Sequence, residues 1–98
     1  MENNFELIRQ WADNKGIFLN STSEKQFLKL SEEVGELANS LLKNNEAEII
    51  DAIGDCVVVL TNIAALKGLK IEDCIQSAYD VISKRKGAMV NGAFVKEG

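Results

Sequence analysis

The chain has 98 residues, 46% hydrophobic but only 6% aromatic, with no proline, no histidine and a formal net charge of −4. This length sits near the lower limit for a self-sufficient core and is read as one domain, 1–98, and an aliphatic, proline-free composition favours long helices over a loop-rich β fold. The missing histidine excludes Ser-His and Cys-His nucleophiles, His-ligated zinc and Glu-x-x-His di-iron sites built from this chain, and the negative charge argues against a duplex nucleic-acid partner.

Four helices are predicted. The first runs from about Asn4 to Lys15, with Asn3 and Glu6 at capping-box spacing, Gly16 as its stop, and Phe5, Ile8, Trp11 and Ala12 on its apolar face. Residues 17–22 read as a connector. Ser23 and Gln26 repeat the capping-box spacing and open a second helix ending near Asn44-Asn45, whose core stripe is Phe27, Leu30, Val34, Leu37 and Leu41. The third, from about Glu46 to Lys67, carries apolar residues around much of its circumference and is expected to be the central element, stopping at Gly68. The fourth spans roughly Ile71 to Lys86, with Ile71, Ile75, Ala78 and Ile82 inward and Gly87 as its stop. Residues 88–98 form a tail with a turn at Asn91-Gly92.

The opening Met1-Glu2-Asn3-Asn4 has no signal-peptide character, and the longest unbroken apolar run, Cys56–Leu60, is far short of a bilayer span. A cytoplasmic protein without a membrane partner is expected. Cys56 and Cys74 lie in helical patterns without a CxxC pair and read as buried, reduced thiols.

Chemistry enters with the acidic residues. Glu33 and Glu36 are three apart, and Asp51 and Asp55 four apart, so each pair shares one helix face. Gln26, Lys29, Glu33, Glu36 and Ser40 form a continuous polar stripe beside the apolar one, and Glu48, Asp51, Asp55 and Asn62 form a comparable stripe on the third helix. Burying such carboxylates without a counter-ion would cost several kcal/mol each. A hard divalent cation, Mg²⁺ or Mn²⁺, resolves that cost. The bland alternative is a solvated acidic face. Gly35 and Gly54, inside the two motifs, suggest close approach of backbone or ligand.

These motifs carry a resemblance. Gln26-x-x-Lys29-Leu30-x-Glu32-Glu33-x-Gly35-Glu36-Leu37, followed by Asp51-x-Ile53-Gly54-Asp55 and an aliphatic run, resembles the MazG-like all-α nucleoside triphosphate pyrophosphohydrolases. The ending Lys84-Arg85-Lys86-Gly87-x-Met89-x-Asn91-Gly92 is similar to short, often phage-encoded members. The resemblance implies a four-helix bundle-like fold and cleavage of a nucleoside triphosphate to monophosphate and pyrophosphate. It implies metal ligands at Glu33, Glu36 and Asp55, and Glu32 or Glu33 orienting or deprotonating the attacking water. The family pattern places a glutamate where this chain has Ala52, so Asp51 is the expected substitute ligand, with Glu48 a turn further back. Lys29, Lys84, Arg85 and Lys86 are the expected phosphate-binding cations. Their plainer readings are a salt bridge for Lys29 and a helix-dipole cap for the cluster.

Trp11 is expected either to stack on the base or to pack in the core, and Asn62 and Tyr79 are possible hydrogen-bonding partners. A chain this small with so apolar a third helix is expected to form a homodimer or homotetramer through helices two and three. The competing reading is a non-catalytic module, an acidic helical interaction surface or a metal-nucleotide binder, with Ala52 marking a degenerate site.

Overall fold

In the computed structural model, which describes residues 3–98, the described chain is all-α apart from one small hairpin. Met1 and Glu2, on which part of the N-terminal reading rests, lie outside the described residues. The elements are α1 (Asn4–Asn14), α2 (Ile17–Asn20), α3 (Ser23–Lys43), α4 (Glu46–Leu66), α5 (Ile71–Ile82), β1 (Gly87–Val90) and β2 (Ala93–Lys96).

Local chemistry sets most boundaries. Asn3 caps α1 by accepting from the Glu6 backbone N–H at 2.9 Å, and Asn45 caps α4 by accepting from that of Glu48 at 3.1 Å. Asn44, at φ 53°, turns the chain between α3 and α4 in the left-handed conformation that asparagine tolerates. At α3 the cap is Thr22, which accepts from the Lys25 N–H at 3.1 Å, one residue before the expected Ser23. Gln26 is drawn instead to Ser21, donating to its hydroxyl at 3.1 Å.

Three further boundaries differ from expectation. The connector contains one helical turn, α2, entered through Gly16 at φ 78°. The last helix stops at Ile82, so Lys84, Arg85 and Lys86 lie beyond it. The tail is an antiparallel hairpin pairing Gly87 with Lys96 through Val90 with Ala93. Its turn, Asn91 at φ 50° and Gly92 at φ 83°, has the two left-handed residues that suit a type I′ hairpin.

The long helices α3 and α4 pack on each other, and α1, α2 and α5 also contact α4, which makes α4 the central element. The face α3 turns inward is not the expected one. Glu33 and Ser40 are buried, with Leu30 and Leu37 partly so, whereas Phe27, Val34 and Leu41 are half or more exposed. On α4, Ala52, Val59, Thr61, Asn62 and Ala64 are buried while Ile50 and Ile53 stay exposed. On α5, Ile75 and Ile82 are exposed too, so this helix buries little of its expected inward stripe. Both cysteines are free, but Cys56 is half-buried and Cys74 exposed. Packing does not require Gly35 or Gly54, since a methyl at either would meet nothing within 4 Å.

A long-range ion pair fastens the periphery. The Arg9 guanidinium on α1 donates two hydrogen bonds, 2.6 and 2.7 Å, to the two carboxylate oxygens of Glu72 on α5. This fork holds the Glu72 carboxyl well down, to about 2. Judged as a whole helix and not by its longest unbroken run, α4 has the length and hydropathy of a membrane span. Asp55 and the buried Thr61 and Asn62 interrupt that apolar character, and four other helices lie against it.

Candidate metal centre and its two cavities

The face where α3 meets α4 carries the chemistry. On α3 the 3–4 spacing of Glu33, Glu36 and Ser40 runs them along one side, and on α4 Asp55 comes opposite. Carboxylate oxygens of Glu33, Glu36 and Asp55 all lie within 4.8 Å of one another. Glu33 is only 6% exposed. One of its oxygens lies 3.2 Å from Lys29 Nζ, and the other is buried with no hydrogen-bond partner.

Such a cluster is electrostatically unfinished. Repulsion from Glu33 pushes the Glu36 carboxyl above its ordinary range, against the opposing pull of Lys29. The same negative field answers in Lys29, whose ammonium is held above its ordinary range first by its hydrogen bond to Glu33. One lysine against three carboxylates leaves excess negative charge and an unpartnered buried oxygen. Oxygen donors at this separation suit a hard divalent cation such as Mg²⁺ or Mn²⁺.

A cavity opens on either side of the cluster. One, about 360 Å³, is polar and is lined by Glu36, Asp55, Asp51, Glu48, Asn39 and Lys43. Ala52, 4% exposed, also lines it, so the place of the missing glutamate faces open space. The other, about 350 Å³, passes Lys29, Glu33 and Asp55 and continues between Trp11, Val58 and Asn62.

The structure thus brings together three of the four expected metal ligands. Asp51 is outside the triad and stands in the adjoining polar cavity with Glu48. Glu32 is exposed, 3.7 Å from Lys29. Lys29, Trp11 and Asn62 share one cavity, with Trp11 47% exposed and therefore not a core residue. Lys84, Arg85 and Lys86 line neither cavity, and exposed Tyr79 lines neither as well.

Two lining residues escaped the sequence reading although signals existed. Asn39 and Lys43 continue the α3 stripe at steps of three and four from Glu36. Glu48-Ile49-Ile50-Asp51 has Glu-x-x-Asp spacing itself, one turn before Ala52 and Asp55. A contact of 3.6 Å between Lys43 Nζ and Glu48 ties this end of the cavity across the two helices.

Fold and site define an all-α protein with a carboxylate cluster, suited to a divalent cation, set between two packed helices. Residues 21–90 match the MazG nucleotide pyrophosphohydrolase domain, and the chain belongs to that family. It is also 47% identical over 57 residues to an uncharacterized 18.2 kDa protein of the rep-hol intergenic region of Haemophilus phage HP1. That match covers 58% of this chain and 35% of the phage protein, so it spans about a third of that relative's length. No solved structure matches the chain.

Proposed function

We propose that the chain is a metal-dependent nucleoside triphosphate pyrophosphohydrolase, converting an NTP or dNTP and water to the monophosphate and pyrophosphate. One observation carries this reading: a buried carboxylate with a free oxygen, Glu33, stands in an acidic cluster between a polar and a partly apolar cavity. A metal-bound triphosphate has the same division, with charged phosphates at one end and a flat base at the other.

Glu33, Glu36 and Asp55 would hold Mg²⁺ or Mn²⁺, which when bound neutralises phosphate oxygens and makes the attacking water more acidic. Water oxygen bonds to the α-phosphorus, the bridging bond to the β-phosphate breaks, and pyrophosphate leaves with the electron pair. Glu33 is the better placed of the two expected catalytic carboxylates to take the water proton. Exposed Glu32 instead holds Lys29, which is positioned to meet a phosphate. Trp11 and Asn62 bind the nucleoside end.

The acting unit is proposed to be the single domain 1–98 assembled as a homodimer or homotetramer. Its accessible surface is 7377 Å², against roughly 5,500 Å² for a compact monomer of this mass. Its radius of gyration is 15.9 Å, against about 13 Å. In such an assembly Lys84, Arg85 and Lys86, outside their own chain's cavities, would be available to a triphosphate held by a neighbouring copy. A cytoplasmic location, where nucleoside triphosphates and reduced thiols occur, accompanies this reading.

Ala52 favours a second reading, a metal-nucleotide binder or acidic interaction module without turnover. The deciding experiment measures pyrophosphate release from a panel of NTPs and dNTPs with Mg²⁺ or Mn²⁺. Release from at least one substrate is expected. Thermal stabilisation by a non-hydrolysable analogue plus metal, with no release from any substrate, would establish the binder instead.

A further inference from the structure

Asn62 is 2% exposed, deep on the central helix, and its side-chain oxygen has no hydrogen-bond partner. A buried carboxamide left in this state costs stability that an apolar residue of similar shape would not. Its surroundings say what would satisfy it. Asn62 lines the cavity that also passes Trp11, Val58 and Val59 and ends at Glu33 and Asp55. Asn62 and Asp55 are seven residues apart on α4, so they are two turns apart on nearly the same face, about 10 Å along the axis. That is on the scale of a nucleoside laid along the helix, with its phosphates at the carboxylates and its base at the amide.

We propose that the Asn62 carboxamide recognises the base by pairing its adjacent donor and acceptor with the hydrogen-bonding edge of the base, while the exposed Trp11 ring takes the base's face. The ligand class is a nucleotide whose base presents a donor beside an acceptor, as uracil does at N3–H and O4, cytosine at N4–H and N3, adenine at N6–H and N1 and guanine at N1–H and O6. A base methylated on that edge leaves the amide unsatisfied and is rejected. This rests on the nucleotide reading above and deepens it, naming how the amide at the nucleoside end meets the base.

The test compares the best-used nucleotide with its edge-methylated analogue, N3-methyl for a uracil nucleotide, N4,N4-dimethyl for cytosine, N6,N6-dimethyl for adenine or N1-methyl for guanine. Wild type and Asn62→Leu are assayed for pyrophosphate release and, independently, for quenching of the single tryptophan by non-hydrolysable forms of both ligands with Mg²⁺. Wild type is expected to disfavour the methylated base by about 10- to 100-fold. Asn62→Leu is expected to lose that discrimination through weaker use of the parent base, with its Tm unchanged or raised. Should Asn62→Leu not fold, Asn62→Asp serves the same comparison, because a carboxylate keeps the acceptor but loses the donor and must also lower the discrimination.

Equal use of both bases by wild type overturns the proposal. So does undiminished discrimination in the variants, or a lowered Tm with base preference intact, which would make Asn62 a purely structural residue. The two readouts separate the readings. Base-edge-dependent quenching without pyrophosphate release supports the Asn62 assignment and refutes hydrolysis, whereas release with no dependence on the base edge does the reverse.

Discussion

Glu33 and Glu36 differ in burial but share one electrostatic problem, and substitution separates their roles. Glu36→Gln removes a charge from the proposed cation site without disturbing a packed side chain, so divalent-dependent turnover should fall by at least about 100-fold with helicity by circular dichroism unchanged. Glu32→Gln should cost far less, because Glu32 is exposed and Glu33 still holds Lys29. A near-wild-type rate for Glu36→Gln would remove it from the ligand set. Asp55→Asn should be as damaging as Glu36→Gln, while Asp51→Asn, outside the triad, should mainly raise the Mg²⁺ concentration needed for half-maximal rate. Ala52→Glu would point a carboxylate into the cavity beside Asp55 and should lower that concentration. The two motif glycines give a separate measurement. Gly35→Ala and Gly54→Ala should each stabilise the chain by about 1 kcal/mol, since both are helical and open around the missing Cβ. Destabilisation in a denaturant titration would mean that a second copy covers these glycines.

Individual elements show where sequence was informative. The limits of α1 and α4 were legible within about a residue because Asn3 caps α1 at recognisable spacing from Glu6, and Gly16 and Gly68, both at positive φ, follow the two helix ends. Part of the carboxylate cluster was legible for a related reason: helical periodicity alone puts Glu33 beside Glu36. Side-by-side placement of α3 and α4, which adds Asp55 and leaves Asp51 apart, is a tertiary fact that periodicity does not contain. The end of α5 is not legible, because Lys84-Arg85-Lys86-Gly87 has the charge and the glycine of a helix C-terminus, yet the helix stops at Ile82. Asn91-Gly92 is a strong turn signal, but strands of only four residues each carry too little pattern to show the hairpin. The heptad spacing of Phe27, Val34 and Leu41 predicts a core stripe only if that stripe faces its own chain, and all three are half or more exposed. Instead Glu33 and Ser40 of the polar stripe face inward beside the half-buried Leu30 and Leu37, while Lys29 and Glu36 stay exposed.

The same scale governs the Arg9–Glu72 fork between α1 and α5. Glu72 has a folded-state value of about 2, below its ordinary 4.5, so the unfolded chain binds the proton more readily. The fork's contribution is therefore complete above about pH 4.5 and is lost as pH falls towards 2. Thermal melts of wild type and Arg9→Met should differ by a constant amount above that range and converge on acidification. Parallel curves down to pH 2 would show that the carboxylate is not what Arg9 holds.

At the scale of the whole molecule, the exposed seven-residue spacing of Phe27, Val34 and Leu41 gives the proposed assembly a definite seam. Light scattering at micromolar concentration should return two or four times 10.8 kDa, and Val34→Glu should shift the protein towards monomer while keeping its helices. A monomeric wild type would refute the assembly. The inward polar face of α3 has a further consequence, because Glu33 belongs both to the packing of α3 on α4 and to the proposed cation site. An ion that binds only the folded chain raises the unfolding free energy by mass action, about 2.7 kcal/mol when it is present at a hundred times its dissociation constant. The melting temperature should accordingly climb with Mg²⁺ and fall on chelation, and Glu33→Met should raise it in chelator while abolishing the climb. The fraction of chains folded would then follow the divalent-ion supply, so the ion that serves the reaction would also regulate how much protein survives to perform it.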